Sequence, residues 1–127
     1  MPMNRSLLAL VPLVGSLLLA GCGPSAGGDC DGGGFVCQER VLALECRGGA
    51  WRELPCRGPL GCRETSESVR CDTSNNVAGD ACASSAEGTG LCRADGQAVL
   101  ECRQGVLTET ATCSACTVED SQVTCQP

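Results

Sequence analysis

Thirteen of the 127 residues are cysteine, and this feature most restricts how the chain can fold. Disulfide scaffolds of small exported proteins reach this density. Large core side chains are scarce, since the chain has one Phe, one Trp and no Tyr. Burial of small apolar side chains cannot easily offset an ordering cost of about 1–2 kcal/mol per residue. We therefore expect disulfide bonds, rather than a large apolar core, to hold the fold.

The first 21 residues predict an export signal. Arg5 precedes the apolar stretch 6–19, which is shorter than the ~20 residues of a transmembrane helix but suits a signal peptide. Leu19-Ala20-Gly21-Cys22 then resembles the lipobox of bacterial lipoproteins at all four positions. The resemblance implies attachment of diacylglycerol to Cys22, cleavage before it and acylation of the new amino terminus. An ordinary secretory signal followed by a chance cysteine is the alternative.

The lipobox resemblance also has implications for location. Two or more acyl chains give lasting membrane attachment, so we expect an envelope protein anchored to the membrane through lipid on Cys22. Asp after the lipidated cysteine commonly retains lipoproteins at the inner membrane, and Gly23 at this position favours the outer membrane. Residues 22–29 are expected to be the lipidated cysteine and a flexible tether, because the segment is rich in Gly and has no apolar periodicity.

Twelve cysteines remain beyond Cys22, an even number that predicts six disulfides. They form two sets of six, which we assign to module 1 (residues 30–71) and module 2 (residues 82–125), joined by a polar linker, 72–81. Six cysteines allow 15 pairings, and the sequence predicts only that pairing stays within each module and takes the same order in both. The sets are Cys30, Cys37, Cys46, Cys56, Cys62 and Cys71, and Cys82, Cys92, Cys102, Cys113, Cys116 and Cys125.

The residues beside these cysteines indicate an internal duplication. Leu44-Glu45-Cys46-Arg47 matches Leu100-Glu101-Cys102-Arg103, Gly28-Asp29 is matched with Gly79-Asp80, and Val69-Arg70-Cys71 with Val123-Thr124-Cys125. The arrangement is similar to the tandem cysteine-rich repeats of uncharacterised bacterial lipoproteins, over residues 28–126. That resemblance implies no particular activity.

Short apolar runs bounded by turn residues predict a small, disulfide-rich, mainly β fold of short antiparallel strands, with little or no helix after the signal peptide. A last short strand is expected to end at Cys71 in module 1 and at Cys125 in module 2. The other predicted elements are central strands 41–46 and 98–102, hairpin turns 47–49 and 103–105, and returning strands 50–54 and 106–110.

No sequence motif predicts an enzyme, a cofactor or a metal site. Cys113-Ser114-Ala115-Cys116 has the CxxC spacing of thiol–disulfide oxidoreductases but lacks their βαβ pattern, and its counterpart, Cys56 with Cys62, is spaced differently. We interpret these residues as half-cystines. The absence of histidine argues against zinc and excludes a Ser-His-Asp triad. Asp29-Cys30-Asp31-Gly32 lacks the remainder of a calcium loop, where Arg40 takes the place of the closing Glu.

Charge and composition leave three functions open. Beyond the leader, eight arginines against 15 acidic residues give −7, which opposes binding to nucleic acid. The favoured function is a non-catalytic binding or structural lipoprotein with a protein or glycan partner. The alternatives are a protease inhibitor with the loop Arg57-Gly58-Pro59 as bait, which has no arginine at the aligned Ser114-Ala115, and a redox protein using the CxxC. Trp51 is expected in the core, as is usual for Trp.

Overall fold

The computed structural model describes residues 23–127, so the predicted signal peptide and Cys22 lie outside the described residues. Within this range the chain forms ten short strands and a single 3₁₀ turn, Ser84–Ala86, which confirms a small, disulfide-rich, mainly β fold. The strands are β1 Phe35–Glu39, β2 Leu42–Arg47, β3 Ala50–Pro55, β4 Cys62–Glu64, β5 Val69–Cys71, β6 Gly90–Cys92, β7 Ala98–Arg103, β8 Val106–Thr112, β9 Ala115–Glu119 and β10 Gln122–Gln126.

Each module contains one three-stranded sheet and one two-stranded hairpin, all antiparallel. The sheets have the orders β1-β2-β3 and β6-β7-β8, and the hairpins are β4-β5 and β9-β10. The predicted central, returning and last strands are confirmed, with shifts of one or two residues at their ends. Strands β1, β4, β6 and β9 go beyond the prediction. No helix within residues 23–127 is long and apolar enough to span a bilayer.

The two central hairpins turn where the sequence predicts. Gly48 and Gly49 have φ of 60° and 81°, and Gln104 and Gly105 have φ of 51° and 77°. Positive φ at both central residues defines the type I′ turn, whose twist matches that of the flanking strands. Gln104 adopts a left-handed conformation in which non-glycine residues are uncommon. The first turn therefore meets the geometry with two glycines, and the second with one.

Six disulfides join the twelve cysteines, with Cα–Cα distances of 5.1–6.0 Å. In each set the first cysteine pairs with the third, the second with the fifth and the fourth with the sixth. Pairing thus stays within each module and takes the same order in both, as the matching sets predict. The bridges are Cys30–Cys46, Cys37–Cys62, Cys56–Cys71, Cys82–Cys102, Cys92–Cys116 and Cys113–Cys125.

The segment before module 1 is hydrogen-bonded to its sheet. The backbone N–H of Gly27 donates to the carbonyl oxygen of Trp51 at 2.8 Å, and the N–H of Trp51 donates to the oxygen of Gly28 at 2.9 Å. Asp29 continues this pairing as an antiparallel bridge to Ala50. The expectation of a flexible tether through residue 29 is therefore wrong for its last three residues, because β3 is an edge strand with backbone groups left to pair.

Module 2 repeats this pairing and corrects one detail of the sequence match. The N–H of Gly79 donates to the oxygen of Leu107, and the N–H of Leu107 donates to the oxygen of Asp80, both at 2.8 Å. By these bonds Asp80 takes the structural place of Gly28, not that of Asp29. The Gly-Asp pairs of the two modules are therefore out of step by one residue, which matters because Asp80 has a contact that module 1 lacks.

The apolar core is divided into two small clusters that both include disulfide sulfurs. In module 2, Leu100 and Leu107 are buried together with Cys82 and Cys102. In module 1, a buried cluster of Ala43, Leu54 and Cys56 is covered partly by Ala81, the last residue of the linker, and by Ala83 of module 2. The second cluster shows that the modules share part of their packing.

Candidate functional site between the two modules

The buried carboxylate of Glu45 in β2 lies at the centre of the contact between the modules. Only 1% of the surface of Glu45 is exposed. One oxygen accepts hydrogen bonds from the backbone N–H and the hydroxyl of Ser84, at 3.0 and 3.1 Å. The guanidinium of Arg47 pairs with the other oxygen and also donates to the carbonyl oxygen of Cys82 at 3.0 Å. Glu45 and Arg47 therefore fix the first turn of module 2 against the sheet of module 1.

The matching pair in module 2 makes no such contact with any other part of residues 23–127. Glu101 lies opposite Gly90 as Glu45 lies opposite Phe35, yet its side chain is 30% exposed. Its polar side-chain contacts are hydrogen bonds from Arg103, at 3.2 and 3.4 Å. The same Leu-Glu-Cys-Arg sequence therefore forms an inter-module contact in the first copy and a surface ion pair in the second.

The linker between the modules is packed against module 1. Asn76 is 1% exposed; its side-chain oxygen accepts from the backbone N–H of Arg57 at 2.9 Å, and its amide nitrogen donates to the oxygen of Pro55 at 2.8 Å. The carboxylate of Asp72 accepts from the backbone N–H groups of Leu60 and Ser74. These bonds, Leu60 first, hold the pKa of Asp72 below its usual value. The segment 72–81 is thus a polar linker with a fixed path.

Asp80 completes the attachment of the linker. Its carboxylate accepts two hydrogen bonds from the guanidinium of Arg57, at 2.8 and 3.0 Å, and one from the backbone N–H of Val77 at 3.0 Å. The hydrogen bond from Arg57 is the main reason that the pKa of Asp80 lies below its usual value, and partial burial opposes this shift.

The predicted inhibitor loop is not a free bait in this arrangement. The side chain of Arg57 is 52% exposed, but two nitrogens of its guanidinium, Nε and Nη2, donate hydrogen bonds to the two carboxylate oxygens of Asp80. A protease that takes Arg in its specificity pocket would have to break this pair and leave the mostly buried Asp80 without a partner, which is costly. The geometry disfavours Arg57 as a bait residue.

A cleft of about 360 Å³ lies between the modules, beside these polar contacts. Its walls come from both modules and are mostly apolar: Phe35, Leu54 and Val69 from module 1, and Ala86, Leu91 and Leu107 from module 2. Thr73, Asn76 and Ser85 add polar atoms to its lining. The volume falls in the range of small-ligand sites, which favour junctions between structural units. The cleft can take an apolar group of modest size, with few hydrogen bonds to orient it.

A second, more open groove of about 530 Å³ adjoins the cleft and shares Cys71, Thr73 and Leu91 with it. It is bordered by Asp72 of the linker and by Arg93 of module 2. Arg93 is itself paired with Asp95 and Glu109, at 2.8 and 2.9 Å. A ligand in the cleft could therefore extend along the linker toward a polar surface whose charges are already balanced.

The CxxC of module 2 is not a single disulfide. Cys113 pairs with Cys125 and Cys116 pairs with Cys92, so its two sulfurs belong to different bridges. Cys56 and Cys62 are divided between two bridges in the same way. A dithiol that cycles between oxidised and reduced forms requires its two sulfurs to bond to each other. The structure places these residues as half-cystines.

Among residues 23–127 there is no group of three or more acidic or sulfur ligands that could hold a metal ion. Asp29, Asp31 and the other residues of the considered calcium loop are therefore not brought together in a cation site. Trp51, expected in the core, is only half-buried, near the amino-terminal end of the described chain.

Sequence reasoning missed the cleft and the polar contacts that shape it. Glu45 and Glu101 match as part of the internal duplication, and nothing in the sequence distinguishes their environments. Asn76 sits in a polar stretch that resembles an ordinary linker. Asp80 and Gly28 each lie two residues before the first cysteine of their module, so an acidic residue in module 2 corresponds to a glycine in module 1. This difference is the one signal in the sequence that could have pointed to a contact specific to this junction.

No known protein family matches this chain, and no curated protein or solved structure shows significant similarity to it.

Proposed function

We propose that this protein is a lipoprotein of the bacterial cell envelope, anchored through lipid on Cys22 and favouring the outer membrane, that acts as a non-catalytic binding module. The observation that carries the proposal is the cysteine pairing. All twelve cysteines of the described chain are joined to one another, so none is left to pair with Cys22, which stands at the lipidation position of the lipobox pattern.

The pairing also supports the compartment. Structural disulfides form and persist in oxidising surroundings such as the periplasm, and not in a reducing cytosol. If the chain stayed in the cytosol, it would lack these six bridges and would be poorly folded, since each bridge contributes roughly 2–4 kcal/mol of stability. The disulfides therefore support export independently of the signal-peptide pattern.

The inter-module cleft is the proposed binding site. Its position is set by Glu45, Asn76 and Asp80, which fix the two modules relative to each other and so preform the cavity. Preformed cavities avoid the ordering cost of binding. The apolar lining suits an apolar side chain of a protein partner better than a sugar, because sugars stack on aromatic planes and Phe35 is the one aromatic residue among the described residues that border the cleft.

The test is an intact mass of the protein isolated from membranes and alkylated without reduction. We expect a chain that begins at Cys22, carries acyl chains and has no alkylated thiol. A Cys22→Ala variant is the matched control and should be recovered without lipid, with its six disulfides intact. An uncleaved leader, an unmodified Cys22 or reactive thiols in the natural chain would contradict the proposal.

A protease inhibitor remains the second candidate, with less support because Arg57 is paired with Asp80. The measurement is inhibition of trypsin, which cleaves after Arg, by the purified protein. We expect none. Tight inhibition that is lost in Arg57→Ala would replace the binding-module proposal with the inhibitor.

A further inference from the structure

We propose that the surface around Trp51 is the face that module 1 turns toward the bilayer, so that the anchored protein rests on lipid headgroups at this end. The inference rests on the proposed lipid anchor at Cys22 and adds to it an orientation and a contact.

The segment that follows Cys22 is first held to the fold by hydrogen bonds to Trp51. Gly27 and Gly28 make a pair of backbone hydrogen bonds with Trp51, at 2.8 and 2.9 Å. The N–H of Gly28 also donates to the carbonyl oxygen of Ser25 at 2.9 Å, which closes a tight turn over residues 25–28. The disulfide Cys30–Cys46 then holds the following residues to β2. The segment from Gly27 onward is therefore part of the folded module, and a tight turn that begins at Ser25 leads into it.

The remaining reach is short. Ser25 is three residues from Cys22, and an extended chain spans at most ~3.3–3.6 Å per residue, so their Cα atoms lie within about 11 Å. Gly27 is five positions from Cys22, which gives a limit of about 18 Å. The polar interfacial layer of a leaflet is itself about 5–7 Å thick. Gly27 and Gly28, which pair with Trp51, are therefore held within a short distance of the headgroups, in this layer or within about 10 Å of its outer surface.

The chemistry of this surface suits the contact. Trp is enriched where membrane meets water, because its ring is apolar and its N–H remains hydrated. Trp51 is half-buried, and the turn residues beside it in sequence, Gly48, Gly49 and Ala50, carry no charge. The 25–28 turn is also uncharged. The exposed Asp29 and Asp31 follow it, so we expect zwitterionic headgroups to be preferred over anionic ones.

The opposite end of the module offers a reference position. Leu60, in the loop that follows β3, is 59% exposed and lies beyond the end of β3 that is remote from Trp51. Under the proposed orientation Leu60 points away from the membrane. A tryptophan placed there should report water where Trp51 reports lipid.

The experiment uses the single tryptophan of the natural chain. The lipidated protein is placed in phosphatidylcholine vesicles whose acyl chains carry bromine close to the headgroup, which quenches nearby indoles. We expect Trp51 to lose roughly half of its fluorescence, and Trp51→Phe/Leu60→Trp to lose almost none. A Gly/Ser insert of about twelve residues after Gly23, with a reach of roughly 20 Å, should abolish the quenching.

Two results distinguish failure of the orientation from failure of the anchor. If the mass shows acyl chains on Cys22 but Trp51 is quenched no more than the Leu60→Trp variant, the orientation is wrong and the anchor stands. If the natural chain carries no lipid and does not bind the vesicles, the proposed function fails first, and the orientation fails with it. Quenching unchanged by the longer insert would also overturn the proposal, because it would show that a short tether is not the cause.

Discussion

The carboxylate of Glu45 in module 1 accepts hydrogen bonds from both the backbone N–H and the hydroxyl of Ser84 in module 2, 39 residues later in the chain. These contacts attach the first turn of module 2 to the sheet of module 1. Together with the attachment of the linker by Asn76 and Asp80, they give the cleft between the modules a defined shape.

Replacing Glu45 with Ala should destabilise the protein far more than the matched change in module 2. Glu45→Ala leaves the N–H of Ser84 without its acceptor and the guanidinium of Arg47 without its carboxylate partner, at a cost of about 1–3 kcal/mol. Glu101→Ala removes one surface ion pair and should change the free energy of unfolding by less than about 0.5 kcal/mol. Urea unfolding with the disulfides intact measures both. Equal effects would show that the inter-module contact contributes nothing.

Stability should fall in acid partly through Asp80. Its pKa is lowered in the folded protein, chiefly by the hydrogen bond from Arg57. The resulting stabilisation is present above the unfolded pKa of about 3.9 and is lost as the pH falls through the lower folded value. Asp72, Glu87 and Asp95 also have lowered pKa values, so the natural chain keeps an acid dependence from them.

The test compares Asp80→Asn with the natural chain by urea unfolding between pH 7 and pH 2. The variant should be less stable by about 1–2 kcal/mol near neutral pH, because it loses a charged acceptor of hydrogen bonds. The gap should narrow below about pH 4, where the natural Asp80 becomes protonated. A gap that stays constant with pH would mean that the ion pair is not what Asp80 contributes.

Two glycines with the same backbone conformation allow the cost of backbone strain to be measured separately from the cost of close packing. Gly61 and Gly48 have φ of 59° and 60°, so alanine is strained at both. A Cβ at Gly61 would also lie 2.2 Å from the carbonyl oxygen of Arg40, whereas one at Gly48 meets nothing within 4 Å. We expect Gly61→Ala to cost about 1–3 kcal/mol more than Gly48→Ala in thermal unfolding. Equal losses would show that the loop moves freely away from Arg40.

The sequence predicts the elements whose cause is local. Apolar runs and glycine turns locate β2, β3, β7 and β8, because strand formation and the type I′ turn depend on neighbouring residues. The even number of matched cysteines indicates six bridges. The order of pairing depends on which strands meet in space, so it could not be obtained from spacing.

The candidate site could not be predicted because its causes are not local. Glu45 and Glu101 stand in the same Leu-Glu-Cys-Arg sequence, and the difference between them arises from what packs on each sheet. The path of the linker likewise depends on the position of Pro55 and Arg57 relative to Asn76. Each contact joins residues about 20 to 40 positions apart, beyond the range of any pattern in the sequence.

The last prediction distinguishes a structural CxxC from a redox one by single substitutions. Because Cys113 is bonded to Cys125 and Cys116 to Cys92, Cys113→Ser should release a thiol at Cys125, and Cys116→Ser should release one at Cys92. Alkylation without reduction, followed by fragmentation of the labelled peptides, identifies the modified residue. Were Cys113 and Cys116 bonded to each other, each substitution would instead label the other member of the CxxC. The comparison does not depend on full stability, because it records which sulfur loses its partner.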